Sequence, residues 1–194
     1  MSQAPVTKEL NLEIEVKLAC DDLDRFRKAG LPLTLETPRH FEDNWLLDLL
    51  DQSLLKQGAA LRVRSVDGKG TLTYKGVVKQ THESRLKVRE EIETAVDEPE
   101  RVIELFERLG YRRSFRYQKY RTGYSVPLGG RVLKVLFDET PIGSFIEIEG
   151  DENSVLKALD TAGFSTGDII RESYPELQAA RCKALGIPLE DLIF

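Results

Sequence analysis

Apolar and charged residues alternate along much of this chain. In "LEIEVKL", Leu12, Ile14, Val16 and Leu18 interleave with Glu13, Glu15 and Lys17. That is the period-two signature of a strand with one apolar and one charged face. The pattern returns in "ALRVRSV", with Leu61 and Val63 against Arg62 and Arg64, and in "TLTYKG", with Leu72 and Tyr74 against Thr71, Thr73 and Lys75. It is longest in "RLKVREEIE". There Leu86, Val88 and Ile92 oppose Arg85, Lys87, Arg89, Glu91 and Glu93, and Glu90 is the one misfit on the apolar side. "QKYRTGYSV" sets Lys119 and Arg121 together, away from Tyr120 and Tyr124, and "SFIEIEG" sets Ile146 and Ile148 opposite Glu147 and Glu149. "RVLKVLFDE" is apolar enough for a strand, but its period is unclear, so Asp138 is only a candidate for the charged side.

Between these strands the period changes to that of a helix. "EPERVIELFERLG" carries Val102, Ile103, Phe106 and Leu109 at helical spacing and stops at Gly110. "DDLDRFRKAG" predicts a short helix capped by Asp21 or Asp22 and ended by Gly30, and "DQSLLKQG" a helical turn ending at Gly58. "NSVLKALDTAG" and "SYPELQAARCKALG" finish the chain as helices, with Ser173 and Glu176 in capping-box spacing.

Half a dozen strands thus carry a whole face of charge, and those faces hold few Ser, Asn, Gln or Thr. The charges are also sorted by sign: Glu-Glu-Lys, Arg-Arg, Lys-Arg-Glu-Glu, Lys-Arg, Glu-Glu. The opposite, apolar faces need cover, which amphipathic helices supply. An antiparallel barrel with a charged lumen and helices packed outside satisfies both demands. Burying so many charges is costly unless they are paired, hydrated or neutralised by a ligand. A polyanion carried with divalent cations meets that need, since Lys and Arg hold phosphate oxygens and carboxylates hold hard metal ions.

Composition narrows the setting. With 194 residues, the whole of 1–194 is expected to form one domain large enough for a sizeable core. A formal net charge of -5 argues against a nucleic-acid partner. Cys20 and Cys182 lack metal-type spacing and fit a reducing compartment. With no apolar signal core in "MSQAPVTKEL" and no segment of membrane-span length, a soluble cytoplasmic protein with no membrane partner is expected. His40 and His82 are placed in loops, and Tyr111, Phe115, Tyr117 and Tyr120 in packing roles.

The ordered series "EIEVK", "LRVR", "TYKG", "VREEIE", "QKYR", "LFDETPIGSFIEIEG" and "ESYPEL" resembles the CYTH superfamily. These are the triphosphate tunnel metalloenzymes, among them class IV adenylyl cyclases, thiamine triphosphatases and inorganic triphosphatases. The resemblance spans about Glu13 to Leu177. It implies an α+β fold built on a closed eight-stranded antiparallel tunnel that binds a triphosphate chain along its axis. It implies phosphate contacts from Lys17, Arg62, Arg64, Lys75, Arg89, Lys119 and Arg121, with Lys87 a further candidate from the alternation. It places Glu13, Glu15, Asp138, Glu147 and Glu149 around Mg²⁺ or Mn²⁺, and Glu91 and Glu93 as further tunnel acids. Lys17, Lys119, Glu13 and Glu15 form the expected catalytic set.

The resemblance has two departures. Some short bacterial triphosphatases carry a second-strand Tyr that positions a catalytic Lys. Here the comparable stretch "FEDNWLLD" offers Trp45, which puts such a pair in doubt. Gln178 also stands where many members continue "SYPEL" with a second Leu. Three readings of function follow: hydrolysis of a triphosphate-containing small molecule, which asks least of the sequence; class IV cyclisation of ATP to 3′,5′-cyclic AMP and pyrophosphate; and non-catalytic polyphosphate binding. An exposed barrel face between helices could pair two subunits as a homodimer, but no patch decides it.

Overall fold

The computed structural model describes residues 12–20, 23–79 and 86–194, without the side chains of residues 78, 79 and 87. Eight strands close into a barrel in the order β1-β5-β4-β3-β2-β6-β7-β8, and all neighbouring strands run antiparallel. They are β1 (Leu12–Ala19), β2 (Thr34–Leu49), β3 (Ala60–Val66), β4 (Lys69–Lys79), β5 (Lys87–Val96), β6 (Tyr111–Leu128), β7 (Arg131–Thr140) and β8 (Gly143–Glu149). The helices are α1 (Asp24–Lys28), α2 (Ser53–Lys56), α3 (Pro99–Arg108), α4 (Glu152–Thr161) and α5 (Tyr174–Leu185). Among the described residues no helix is long and apolar enough to cross a membrane.

Turn chemistry fixes the strand register. The β3–β4 connection places Asp67 and Gly68 at φ of 48° and 82°, and the β6–β7 connection places Gly129 and Gly130 at 62° and 77°. Two successive left-handed residues match the right-handed twist of the strands they join. With the register set, Glu15 pairs with Glu149, Lys17 with Glu147, Arg121 with Asp138, and Lys119 with Glu42. Residues directly opposite share a face, so the charged side of each strand turns into one lumen.

The apolar sides face outward; helices cover much of them, while Leu12 of β1, Tyr74 and Val77 of β4 and Ile92 of β5 stay exposed. Val16 and Leu18 of β1 join Val135, Ile146 and Ile148 beneath α1 and α4. Leu47, Leu61 and Val63 pack under Ile103 of α3, with Phe106 and Trp45 beside them. A third cluster lies on the lumen side of the barrel wall. Phe115, Tyr117 and Phe145 meet Tyr174 of α5 and Leu192 of the C-terminal segment and fill one end of the barrel.

Three elements differ from the sequence reading. The strand expected at residues 118–126 begins earlier, at Tyr111. β2 is a full strand of sixteen residues, and it takes in His40, which therefore lies in a strand rather than a loop. The first helix is shorter than its pattern, spanning Asp24–Lys28; its expected caps Asp21 and Asp22 lie outside the described residues, as do Arg85 and His82.

At Gly70 the start of α3 and the backbone of β3 both press close on β4. A Cβ there would stand 2.3 Å from the Arg64 carbonyl oxygen and 2.6 Å from Cγ of Pro99, which opens α3. Gly70→Ala is expected to destabilise the protein by about 1–3 kcal/mol, because backbone cannot yield as a flexible side chain would. A urea titration followed by circular dichroism checks this.

Candidate functional site

The deepest part of the lumen is organised around one carboxylate. Asp138 of β7 is fully buried. Its Oδ1 accepts from Arg121 Nε at 2.6 Å. Its Oδ2 accepts from Arg121 Nη2 at 2.6 Å, Lys119 Nζ at 2.8 Å and the Tyr174 hydroxyl at 2.6 Å. Burial alone would push this carboxyl up, but Arg121 and Lys119 hold it below the ordinary carboxylate range. Beside it, Glu147 of β8 accepts from Arg121 Nη2 and stands 3.5 Å from Lys17 Nζ. Against its own burial, Glu147 is held well below the usual range by Lys119, Arg121 and Lys17.

Tyr174 ties this network to α5. Its ring centroid lies 4.0 Å from Lys17 Nζ and 5.0 Å from Lys119 Nζ, within cation–π reach of both. Burial and the carboxylates of Glu147 and Asp138 push the phenol well up, so it keeps its proton and donates. Trp45, at the position where a positioning Tyr was sought, faces outward between Arg113 and Arg116. The aromatic ring against the tunnel lysines comes from α5 instead.

A second acid, Glu42 of β2, gathers the neighbouring cations. Arg64 Nη1 lies 3.2 Å away, Lys119 Nζ 3.6 Å and Arg121 Nε 4.0 Å. Burial would raise this carboxyl, yet those cations hold it far below the usual range. Next to it, the fully buried Asn44 accepts from Arg64 Nε at 3.3 Å. Arg62 donates to the Tyr117 hydroxyl at 3.3 Å, to Thr73 at 3.2 Å and to Glu93 at 3.3 Å, and Thr73 in turn donates to Glu93 at 2.7 Å.

Farther along the lumen the acids are less fully paired. Lys75 Nζ lies 2.7 Å from Glu91 and 3.0 Å from Glu13. Glu13, Glu15 and Glu149 each present a carboxylate oxygen within 4.8 Å of the others. Lys134, absent from the sequence reading of the site, pairs with Glu149 at 2.9 Å. Burial pushes the carboxyls of Glu13 and Glu149 up. Three converging carboxylate oxygens suit a hard divalent cation, so these residues fit a Mg²⁺ or Mn²⁺ ion.

The structure therefore gathers Glu13, Glu15, Lys17, Arg62, Arg64, Lys75, Glu91, Glu93, Lys119, Arg121, Asp138, Glu147 and Glu149 around one lumen. Asp138 and Glu147, expected beside the metal, are occupied by Lys17, Lys119, Arg121 and Tyr174. Arg89 shares the lumen face but donates to the Gly58 carbonyl at 2.8 Å. Lys87 stands opposite Glu15 in the backbone register, and its side chain lies outside the described residues.

Glu42, Asn44, Tyr117 and Tyr174 were not expected as site residues. In "FEDNWLLD" both faces are mixed, with Asp43 turned outward to Arg116 at 2.7 Å, so alternation gives no clean signal there. Tyr174 sits within the quoted "ESYPEL", but only the closure of α5 over the barrel end brings it to the lumen.

The CYTH domain family model matches residues 11–174. The chain belongs to the CYTH family. A putative adenylate cyclase of Methanocaldococcus jannaschii is 26% identical, over 86% of this chain and 98% of its own length. A crystal structure from Vibrio parahaemolyticus, described as a putative adenylate cyclase, superposes with a TM-score of 0.69 at 18% identity, covering 87% of this chain and 98% of the other. A plant protein from Hippeastrum, described as a putative adenylyl cyclase with a dominant triphosphatase activity, superposes with a TM-score of 0.60 at 20% identity, covering 93% and 99%.

Asp138→Asn would leave two buried cations without their shared counter-charge. It is expected to cost about 3–5 kcal/mol. Because Asp138 and Glu42 ionise below their usual range in the folded chain, their contribution is present above that range and lost as pH falls through it. Denaturant titrations from neutral to acid pH should show a steeper loss of stability in the wild type than in Asp138→Asn.

Proposed function

We propose that this CYTH protein hydrolyses a triphosphate-containing small molecule held in the barrel lumen. The observation that supports this best is the row of cations along the lumen, from Lys75 through Arg62 and Arg64 to Lys119, Arg121 and Lys17, with the Glu13–Glu15–Glu149 set beside it. A triphosphate chain has the charge and length to complete both. Lys17, Lys119 and Arg121 would hold non-bridging phosphate oxygens and neutralise charge developing on the transferred phosphoryl group. Asp138, Glu42 and Tyr174 keep those cations aimed inward. A Mg²⁺ or Mn²⁺ held by Glu13, Glu15 and Glu149 would supply Lewis acidity toward the phosphoryl oxygens. In this reading Glu147 orients Lys17 and Arg121.

A cyclase reading uses the same cage on ATP, and the name of the M. jannaschii relative favours it. Hydrolysis is preferred because the lumen alone suffices for it, and because a neighbour of the same fold is described as having a dominant triphosphatase activity.

The test is to incubate the purified protein with tripolyphosphate, thiamine triphosphate or ATP, each with Mg²⁺ or Mn²⁺, and to separate the products by anion exchange. Orthophosphate release is the expected result. Pyrophosphate and 3′,5′-cyclic AMP from ATP would replace this reading with the cyclase, and tight binding without turnover would leave a binding module. Glu149→Gln is expected to lower turnover on the order of a hundredfold while leaving the melting curve close to wild type.

A further inference from the structure

Among the described residues, Arg89 Nε, Asn44 Nδ2 and Arg62 Nε are buried nitrogens with no hydrogen-bond partner, and the last two lie close to Tyr117 in the lumen. Neither of these two is explained by the network that fixes the other lumen cations. Asn44 is completely buried on β2, between Arg64 of β3 and Tyr117 of β6 in the strand register. Its amide orientation is set by chemistry. Arg64 Nε can only donate, and it donates to Asn44 Oδ1 at 3.3 Å, which leaves the NH₂ group as the unmatched end. Arg62 belongs to the same neighbourhood through its 3.3 Å hydrogen bond to the Tyr117 hydroxyl. A buried donor without an acceptor is unfavourable, and natural folds seldom keep one without a reason.

The surroundings define what the missing acceptor is. Arg62, Arg64 and Lys119 all act on the Tyr117 hydroxyl, and against burial they draw its ionisation down, so this part of the lumen favours negative charge. Glu42, two residues before Asn44 along β2, faces Arg64, Lys119 and Arg121, and its Oε2, 3.6 Å from Lys119 Nζ, accepts no hydrogen bond. An incoming anionic oxygen would satisfy the two orphaned donors without displacing that arrangement.

We propose that Asn44 is a substrate-contact residue whose Nδ2 donates to a non-bridging oxygen of the polyphosphate chain, next to Arg62 Nε. The assignment rests on the triphosphate reading above and adds a contact to it. A neutral donor at this depth strengthens phosphate binding without adding another cation to a lumen where each charge needs a counter-charge. It also places part of the polyphosphate chain beside Tyr117, well inside the barrel.

Calorimetric titration of the whole chain with inorganic tripolyphosphate and Mg²⁺ tests this in wild type, Asn44→Ala, Arg64→Ala and the double variant. A hydrogen bond to a charged oxygen corresponds to roughly tenfold or more in affinity. Asn44→Ala should weaken binding by about that factor, and by a similar factor again in the Arg64→Ala background. Unchanged affinity in Asn44→Ala would overturn the assignment. So would a loss that vanishes once Arg64 is gone, since Asn44 would then act only by positioning Arg64. Failure of the wild type to bind tripolyphosphate would instead remove the underlying triphosphate reading. Melting curves without ligand accompany the titration. If Asn44→Ala does not fold, Asn44→Ser keeps a hydroxyl near Arg64 while withdrawing the amide donor, and the same loss is expected of it.

Discussion

Everything else in this protein depends on the pairing of opposite charges inside a closed barrel. Moving one ion out of water costs several kcal/mol, and a buried pair recovers that only when its geometry is good and its remaining donors and acceptors are satisfied. Asp138 meets that condition, with four hydrogen bonds from three side chains on its two oxygens. Even so, a buried pair of this kind contributes no more stability than well-packed apolar residues would. The outward-facing clusters under α1, α3 and α4 supply the apolar burial that stabilises the fold. What the lumen charges contribute is a preorganised field, fixed before any ligand arrives.

That separation explains what could be seen in the sequence. A barrel wall has two faces with opposite demands, so its strands advertise themselves by alternation. β1, β3, β5 and β8 were legible because charged residues recur at every second position of one face and, Glu90 apart, mostly apolar ones stand on the other. β2 was not. Phe41, Asp43 and Trp45 look outward while Glu42, Asn44 and Leu46 look inward, so polar and apolar residues occur on both sides. The outward Asp43 is stabilised by Arg116, a tertiary pairing that periodicity does not reveal. The division of labour among the acids was hidden for a similar reason. Asp138 and Glu147 resemble Glu149 in the chain, and only the register shows that Arg121 and the lysines reach the first two.

The lumen is accordingly uneven. Around Asp138 and Glu147 the acids are engaged by Lys17, Lys119 and Arg121, which fixes the positions of those cations. Around Asn44 and Arg62 donors are left over, and around Glu13, Glu15 and Glu149 acceptors crowd together. An anion matches the first surplus and a divalent cation matches the second. A metal-bound polyphosphate brings both in one ligand, whereas either ion alone would answer only one.

The C-terminal segment belongs to this design as much as the strands do. Among the described residues, β5 pairs with β1 as far as Glu15 and β7 with β6 as far as Tyr120, and Lys17 and Tyr117 lie beyond these pairings. Ile170 donates its backbone N–H to the Lys17 carbonyl at 2.8 Å, and Leu192 exchanges backbone hydrogen bonds with Arg116 and Gln118 at 2.9 and 2.8 Å. Two gaps in the barrel wall are thus filled from outside the sheet, at the residues whose side chains face Tyr174. The family match stops at residue 174, yet Leu192 packs in the cluster that seats the Tyr174 ring. The position of the tunnel lysines therefore depends on contacts made beyond the matched region, which a motif comparison confined to the strands does not include.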